Sequence, residues 1–100
     1  MHKGGYVYIV TNKAHTVLYT GVTSNLLARI QQHRTKTYPT SFTAKYNADK
    51  LVYYKFYETI EAAIAEEKRI KGGNRQQKIN MIMAVNPEWY DLYETELSKW

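Results

Sequence analysis

Residues 6–30, YVYIVTNKAHTVLYTGVTSNLLARI, decide the fold, because their apolar pattern switches from strand to helix within one short stretch. Tyr6 to Val10 and Thr16 to Val22 are rich in β-branched and aromatic residues, which suit a pleated, half-buried surface. The polar run Thr11-Asn12-Lys13-Ala14-His15 between them predicts the turn of an antiparallel hairpin. Thr23-Ser24-Asn25 then offers N-cap oxygens just before Leu26, Leu27 and Ile30, which recur at helical spacing. A first helix is predicted over residues 24–35.

Working outward, residues 36–49 keep no clean period and carry Pro39, lysines and three aromatics, Tyr38, Phe42 and Tyr46. They read as one long basic loop, and loops beyond roughly 12 residues inside compact domains are usually functional or mobile. Leu51 to Tyr57 reads as a third strand. Thr59 can cap a second helix that Gly72-Gly73 ends, and Asn74 with Gln77 forms a capping box for a third, carrying Ile79, Ile82 and Met83. Asn86-Pro87 closes that helix and is expected to open another, whose stripe is Trp89, Leu92, Tyr93 and Leu97. The order ββαβααα describes one α/β domain over residues 1–100, with a small three-stranded antiparallel sheet flanked by helices.

With 44% apolar residues, ten Tyr, five Gly and two Pro, the chain is too hydrophobic for intrinsic disorder. No Cys is present, which removes disulfides, thiolate metal sites and thiol catalysis, and the three His show no metal-binding spacing. Any metal ion must therefore be held mainly by oxygen. No apolar run approaches the ~18 residues that span a bilayer, and no signal peptide is recognisable, so a cytoplasmic protein without a membrane partner is expected. The net charge is +5, unevenly spread: residues 86–100 hold Glu88, Asp91, Glu94 and Glu96 against Lys99, which leaves +8 on the first 85. A basic body with an acidic tail fits either a polyanion-binding protein or an ordinary soluble surface.

Three groups of residues can carry chemistry. On the second helix, Ile60, Ala63, Ile64 and Ile70 centre the apolar face, and Glu67 falls mid-face while Glu66 lies about 100° away at its edge. An unpaired buried carboxylate costs several kcal/mol, so Glu67 must meet a Lys or Arg in a salt bridge, ligate a metal, or do acid–base work in a cleft. On the first helix, Arg29 and His33 are one turn apart with Gln32 beside them, a pairing that is either a solvated face or a phosphate clamp. The many Tyr either pack between sheet and helices or stack on bases.

In combination, Tyr8, Tyr19-Thr20-Gly21, Arg29, His33 and Glu67, in that order and spacing, resemble the GIY-YIG nuclease superfamily. The chain is similar in particular to small stand-alone members related to the N-terminal nuclease domain found in excinuclease ABC. Tyr6-Val7-Tyr8 corresponds to the first motif, with Tyr6 where the family name has Gly, and Tyr19-Thr20-Gly21 to the second, with Thr20 where it has Ile. The resemblance implies that Tyr8 and Tyr19 are paired phenols of a catalytic site, Gly21 a close-approach backbone position, Arg29 a phosphate-facing cation, and Glu67 a metal ligand. It assigns His33 to the scissile phosphate or the leaving group.

The activity so implied is metal-dependent endonucleolytic cleavage of DNA, in repair or in processing of branched or damaged DNA, with one Mg²⁺ or Mn²⁺. One visible carboxylate argues for one ion completed by waters and phosphate oxygens. Tyr8 would position or deprotonate the attacking water. A free phenol titrates near about 10, so positive charge must lower it or a metal-bound hydroxide must take part. Lys36, Lys45 and Lys50 are expected along the DNA path, and the Trp89–Leu97 stripe as the docking face for weak self-association or a protein partner. The alternative is a nucleic-acid-binding module of the same fold with little or no cleavage.

Overall fold

A computed structural model describes residues 4–100. β1 (Gly5–Thr11) is the central strand of a three-stranded antiparallel sheet, with β2 (Leu18–Thr23) on one side and β3 (Lys50–Tyr57) on the other. The β1–β2 turn is built by Asn12, whose side-chain oxygen accepts from Thr16 N at 2.8 Å and Val17 N at 3.1 Å. α1 (Leu26–Thr35) follows β2 and is capped by Asn25, as the Thr23-Ser24-Asn25 signal implies. Residues 36–49 are not wholly irregular: Ser41 caps a one-turn helix, α2 (Phe42–Lys45), between α1 and β3. α3 (Ile60–Lys71) and α4 (Arg75–Val85) are capped by Thr59 and by the Asn74/Gln77 capping box.

The strand alternation divides the core into two faces. Tyr8 and Val10 pack with Leu26, Ile30, Ala48, Leu51 and Leu97 on the α1 side. Val7 packs with Ala63 and Ile70, and Ile9 with Val52, Tyr53 and Ile82, on the side covered by α3 and α4. A bulge opposite Ile9 and Val10 explains why Val52 and its neighbour Tyr53 share one face: Ile9 pairs with Tyr53 and Val10 with Leu51, so Val52 is the extra residue.

The C-terminal segment departs from expectation in two ways. No helix opens at Pro87. Asn86 instead spends its side chain on tertiary bonds, donating to Val52 O and Tyr90 O and accepting from Tyr90 N, and Trp89 takes a left-handed φ of 56° and stacks on His15. The helix begins later, as α5 (Leu92–Thr95) capped by Asp91, and a short 3₁₀ turn, Leu97–Lys99, follows. The expected docking stripe is consumed within the chain itself, with Leu97 fully buried and Leu92 and Tyr93 packed beside it. Nor is the acidic tail separate, since Asp91 and Glu94 both pair with Arg34.

Thr20, the residue standing for Ile in the second motif, pairs with Ile9 and is buried. Among the described residues its hydroxyl is the one buried side-chain polar atom without a hydrogen-bond partner. An unsatisfied buried hydroxyl costs about 1–3 kcal/mol. Thr20→Val, equal in shape, is therefore expected to raise stability by about 1 kcal/mol, read as a higher urea midpoint at unchanged m-value. A lowered midpoint would show that the hydroxyl is satisfied in solution.

Candidate active site

Tyr8 projects from the middle of the central strand toward α1, with its hydroxyl reaching across the backbone of β2. Tyr8 pairs with Gly21, and a Cβ on Gly21 would fall well inside contact distance of the Tyr8 Cζ and Oη atoms. Gly21 is thus a close-approach position, and the group that approaches it is the phenol of Tyr8 itself.

Two side chains converge on the phenol. Arg29 Nε donates to Tyr8 Oη at 3.3 Å, and Arg29 Nη1 donates to Gln32 Oε1 at 3.0 Å, so one turn of α1 aims the guanidinium. His33 Nε2 lies 2.8 Å from Tyr8 Oη. The other ring nitrogen, Nδ1, lies 2.8 Å from Thr43 Oγ1 on α2, which is 3.3 Å from Ser41 Oγ. Tyr8, His33 and Thr43 are all at most 5% exposed. His33 is therefore no part of a solvated helix face, and Arg29, half-buried beside it, bonds inward to Tyr8.

Burial dominates the electrostatics. It pushes the Tyr8 phenol up to about 12, outweighing the lowering by Arg29's hydrogen bond and charge, while Tyr19 and Glu67 push it further up. Of the two routes left open by the sequence, lowering of the phenol by positive charge or participation of a metal-bound hydroxide, the first is opposed here, because desolvation of the buried ring outweighs the Arg29 charge. Burial, helped by the Arg29 charge, holds His33 down at about 4, so its imidazole is neutral at pH 7. The unfolded chain binds a proton at His33 between pH 4 and about 6.5 that the folded chain refuses, so stability falls as pH drops through that window, by about 3 kcal/mol at its foot. Thermal unfolding between pH 4 and 7 should show this acid limb flattened in His33→Gln. An unchanged limb would assign the loss to other groups.

Glu67 lies where the helical wheel places it. On α3 it is buried with Ala63 and Ile70, 8% exposed, and its Oε2 meets Lys71 Nζ at 2.7 Å. Lys71 Nζ also sits 5.5 Å above the Tyr19 ring, so Tyr19, Lys71 and Glu67 form the second wall of the site, of which Tyr19 and Glu67 are near enough to Tyr8 to act on its ionisation. Among the described residues no group of three or more His, Asp or Glu side chains could hold a metal ion alone. The donor set fits a hard divalent ion bound through one carboxylate and shared with substrate phosphate, since Mg²⁺ retains waters and often takes only one or two carboxylates. Of the roles that the sequence leaves open for Glu67, the salt bridge is the one present, made to Lys71, and an ion would have to displace that ammonium.

The contacts described for the three lysines are to other partners than Tyr8, Arg29, His33 and Glu67. Lys36 pairs with Asp49 at 3.7 Å, Lys45 lies 5.6 Å over the Tyr46 ring, and Lys50 Nζ meets His15 Nε2 at 2.9 Å beside the β1–β2 turn. What continues from the site is a row of rings. Tyr19 stacks on Phe42 at 5.9 Å and Phe42 meets Tyr46 at 4.7 Å, with Phe42 47% and Tyr46 43% exposed, while Arg29 stands 5.8 Å over the exposed Tyr38 ring. In the sequence these aromatics stand in an aperiodic basic run that assigns them no role. The one signal they leave is their spacing of four on a capped turn, Ser41-Phe42-x-x-x-Tyr46.

Residues 4–80 match the family described as the GIY-YIG catalytic domain. Two UPF0213 proteins are similar over most of the chain. That of Clostridium perfringens is 36% identical, aligned over 93% of this chain and 97% of its own, and that of Syntrophus aciditrophicus is 34% identical over 83% and 93%. The solution NMR structure of a UPF0213 protein from Bacillus halodurans superposes with a TM-score of 0.57 at 22% identity, covering 93% of this chain and 97% of the other, which establishes a shared fold.

Proposed function

Because the chain belongs to the GIY-YIG catalytic domain family, we propose that it is an endonuclease hydrolysing DNA phosphodiester bonds with one Mg²⁺ or Mn²⁺ held at Glu67. The observation that carries this is the convergence of Arg29 and His33 on the buried Tyr8 hydroxyl, beside a buried Glu67. Such a constellation meets the needs of phosphoryl transfer, a positioned nucleophile and charge neutralised at the phosphoryl oxygens. Arg29 presents its remaining N–H groups to a phosphate while Gln32 and Tyr8 fix its plane. Tyr8 holds the attacking water with the lone pair that Arg29 leaves free. A divalent ion, when bound, would neutralise the phosphate and favour deprotonation of the nucleophile.

The test is nicking of supercoiled plasmid with Mg²⁺, with Mn²⁺ and with EDTA. Cleavage in the metal lanes alone is expected. Binding without cleavage in any lane would replace this reading by the non-catalytic binding module.

The exposed rings beside Arg29 and Lys45 favour DNA with accessible bases, as in branched or damaged duplexes, because each base stacked on an aromatic is worth about 1–3 kcal/mol. Phe42→Ala should weaken binding to a gapped or flapped duplex by about tenfold and to an intact duplex little. Affinity should fall steeply from about 50 to 200 mM salt, and Lys45→Glu should reduce the salt slope by about 1. Lys50→Glu should matter least, since its ammonium is turned to His15. Equal losses on both DNAs for Phe42→Ala would remove the stacking role.

A further inference from the structure

Thr43 lies on α2, within a run whose sequence reads as loop, yet it is 4% exposed and its hydroxyl meets the one His33 nitrogen that does not face Tyr8. The run Ser41 Oγ, Thr43 Oγ1, His33 Nδ1, His33 Nε2, Tyr8 Oη connects the buried phenol with a half-buried serine near the surface. Every member can both give and take a proton, so the run has two complete arrangements. In one, Tyr8 donates to Nε2, Nδ1–H donates to Thr43 and Thr43 donates to Ser41. In the other every bond is reversed, and Tyr8 then accepts from both His33 and Arg29. The first alone leaves a phenol lone pair free for water.

We propose that Thr43 is a positioning residue for cleavage: its hydroxyl holds His33 with the proton on Nδ1, so that Nε2 takes the phenol's proton while Tyr8 takes one from the attacking water. This rests on the endonuclease reading above. The protons balance. The water O–H breaks as a new Tyr8 O–H forms, the original phenolic proton moves to Nε2, the Nδ1 proton moves to Thr43, the Thr43 proton to Ser41, and the Ser41 proton to bulk water. The new P–O bond forms as the bond to the leaving oxygen breaks, and the leaving oxygen takes its proton from bulk water. No member is left charged, which suits a phenol held up at about 12 and an imidazole held down at about 4, since neither ion is stable there. Exchange with water after product release runs the chain back.

The experiment combines ¹⁵N NMR of the His33 ring with single-turnover plasmid nicking, for wild type, Thr43→Ser, Thr43→Val and Thr43→Ala. Expected are the Nδ1–H tautomer in wild type and Thr43→Ser, a shift toward Nε2–H in the two variants lacking the hydroxyl, and rates about 10–100-fold lower in those two with DNA affinity unchanged. Thr43→Ser should stay within about threefold of wild type. Using two hydroxyl-free variants guards against one that fails to fold. A wild-type tautomer or a wild-type rate in either folded hydroxyl-free variant overturns the proposal. If wild type cleaves nothing, the endonuclease reading has failed, and the NMR arm still decides whether Thr43 sets the ring.

Discussion

Glu67→Gln is expected to lower metal-dependent single-turnover nicking by at least about 10²–10³-fold while the fold persists. Glutamine keeps the size of the side chain and removes the charge that would hold the ion. Lys71, the partner it abandons, has a side chain 49% exposed and finds water instead. An exposed ammonium losing such a partner costs about 0–1 kcal/mol, so the melting temperature should move by only a few degrees. The neighbouring carboxylate is the control. Glu66 is engaged by Arg69, whose hydrogen bonds hold it below the usual carboxylate range, and it lies about 100° round the helix. Glu66→Ala should leave cleavage within about twofold of wild type. Titration of Mn²⁺ by electron paramagnetic resonance, with a phosphate-bearing DNA present, gives a second reading of the same prediction. Wild-type nicking by Glu67→Gln would reduce the carboxylate to a salt bridge with Lys71.

Tyr8→Phe is expected to lower the rate by about 10²–10⁴-fold. It also leaves the buried His33 Nε2 without its partner, at a cost of about 1–3 kcal/mol in stability, so the assay belongs well below the variant's melting temperature. The shape of the pH profile matters as much as the size of the loss. With the phenol pushed up to about 12, Tyr8 keeps its own proton throughout pH 6–9, and the deficit should be the same at each pH in that range. A deficit growing toward pH 9 would show that the phenol ionises there and that its burial is relieved in solution. Arg29→Lys should lose a comparable factor, because an ammonium cannot bridge Tyr8 Oη and Gln32 Oε1 while also facing phosphate.

Elements with strong local signals are legible without any coordinates. The hairpin, α1, β3, α3 and α4 each combine an apolar period with a turn or a cap that acts within a few residues, and the caps at Asn25, Thr59 and Asn74 are used as their chemistry suggests. The helical wheel also places Glu67 in the buried face and Glu66 outside it. Illegible are α2 and the stretch after Asn86. A four-residue helix is too short to show a period, and Ser41 is one of several hydroxyl residues in its neighbourhood. At Asn86-Pro87 the local signal is sound but tertiary bonds override it, since Asn86 reaches Val52 and Tyr90 and the true cap, Asp91, also accepts from Leu51 N. The ionisation of Tyr8 escapes the sequence for the same reason. The family resemblance puts Tyr8 and Arg29 in one site, whereas the depth of burial is a property of the whole fold.

The placement of α2 bears on how this chain tolerates changes in length. Connections between elements usually absorb insertions and deletions because their backbone runs free over the surface. The connection between α1 and β3 leaves α1 through a left-handed Lys36, with φ of 54°, and must bring Thr43 back to a ring only ten positions earlier while setting Phe42 against Tyr19. Both attachments sit on adjacent residues of one short turn, so a residue added or removed between Lys36 and Ser41 unseats hydroxyl and ring together. The connection after Tyr46 is tied to the same place, since Ala48 is fully buried beside Tyr8 and its N–H donates to Thr43 O. Among the described residues the β1–β2 turn has no tether to the Tyr8 hydroxyl, and length variation among natural or engineered versions of this chain should therefore gather there and avoid residues 37–48.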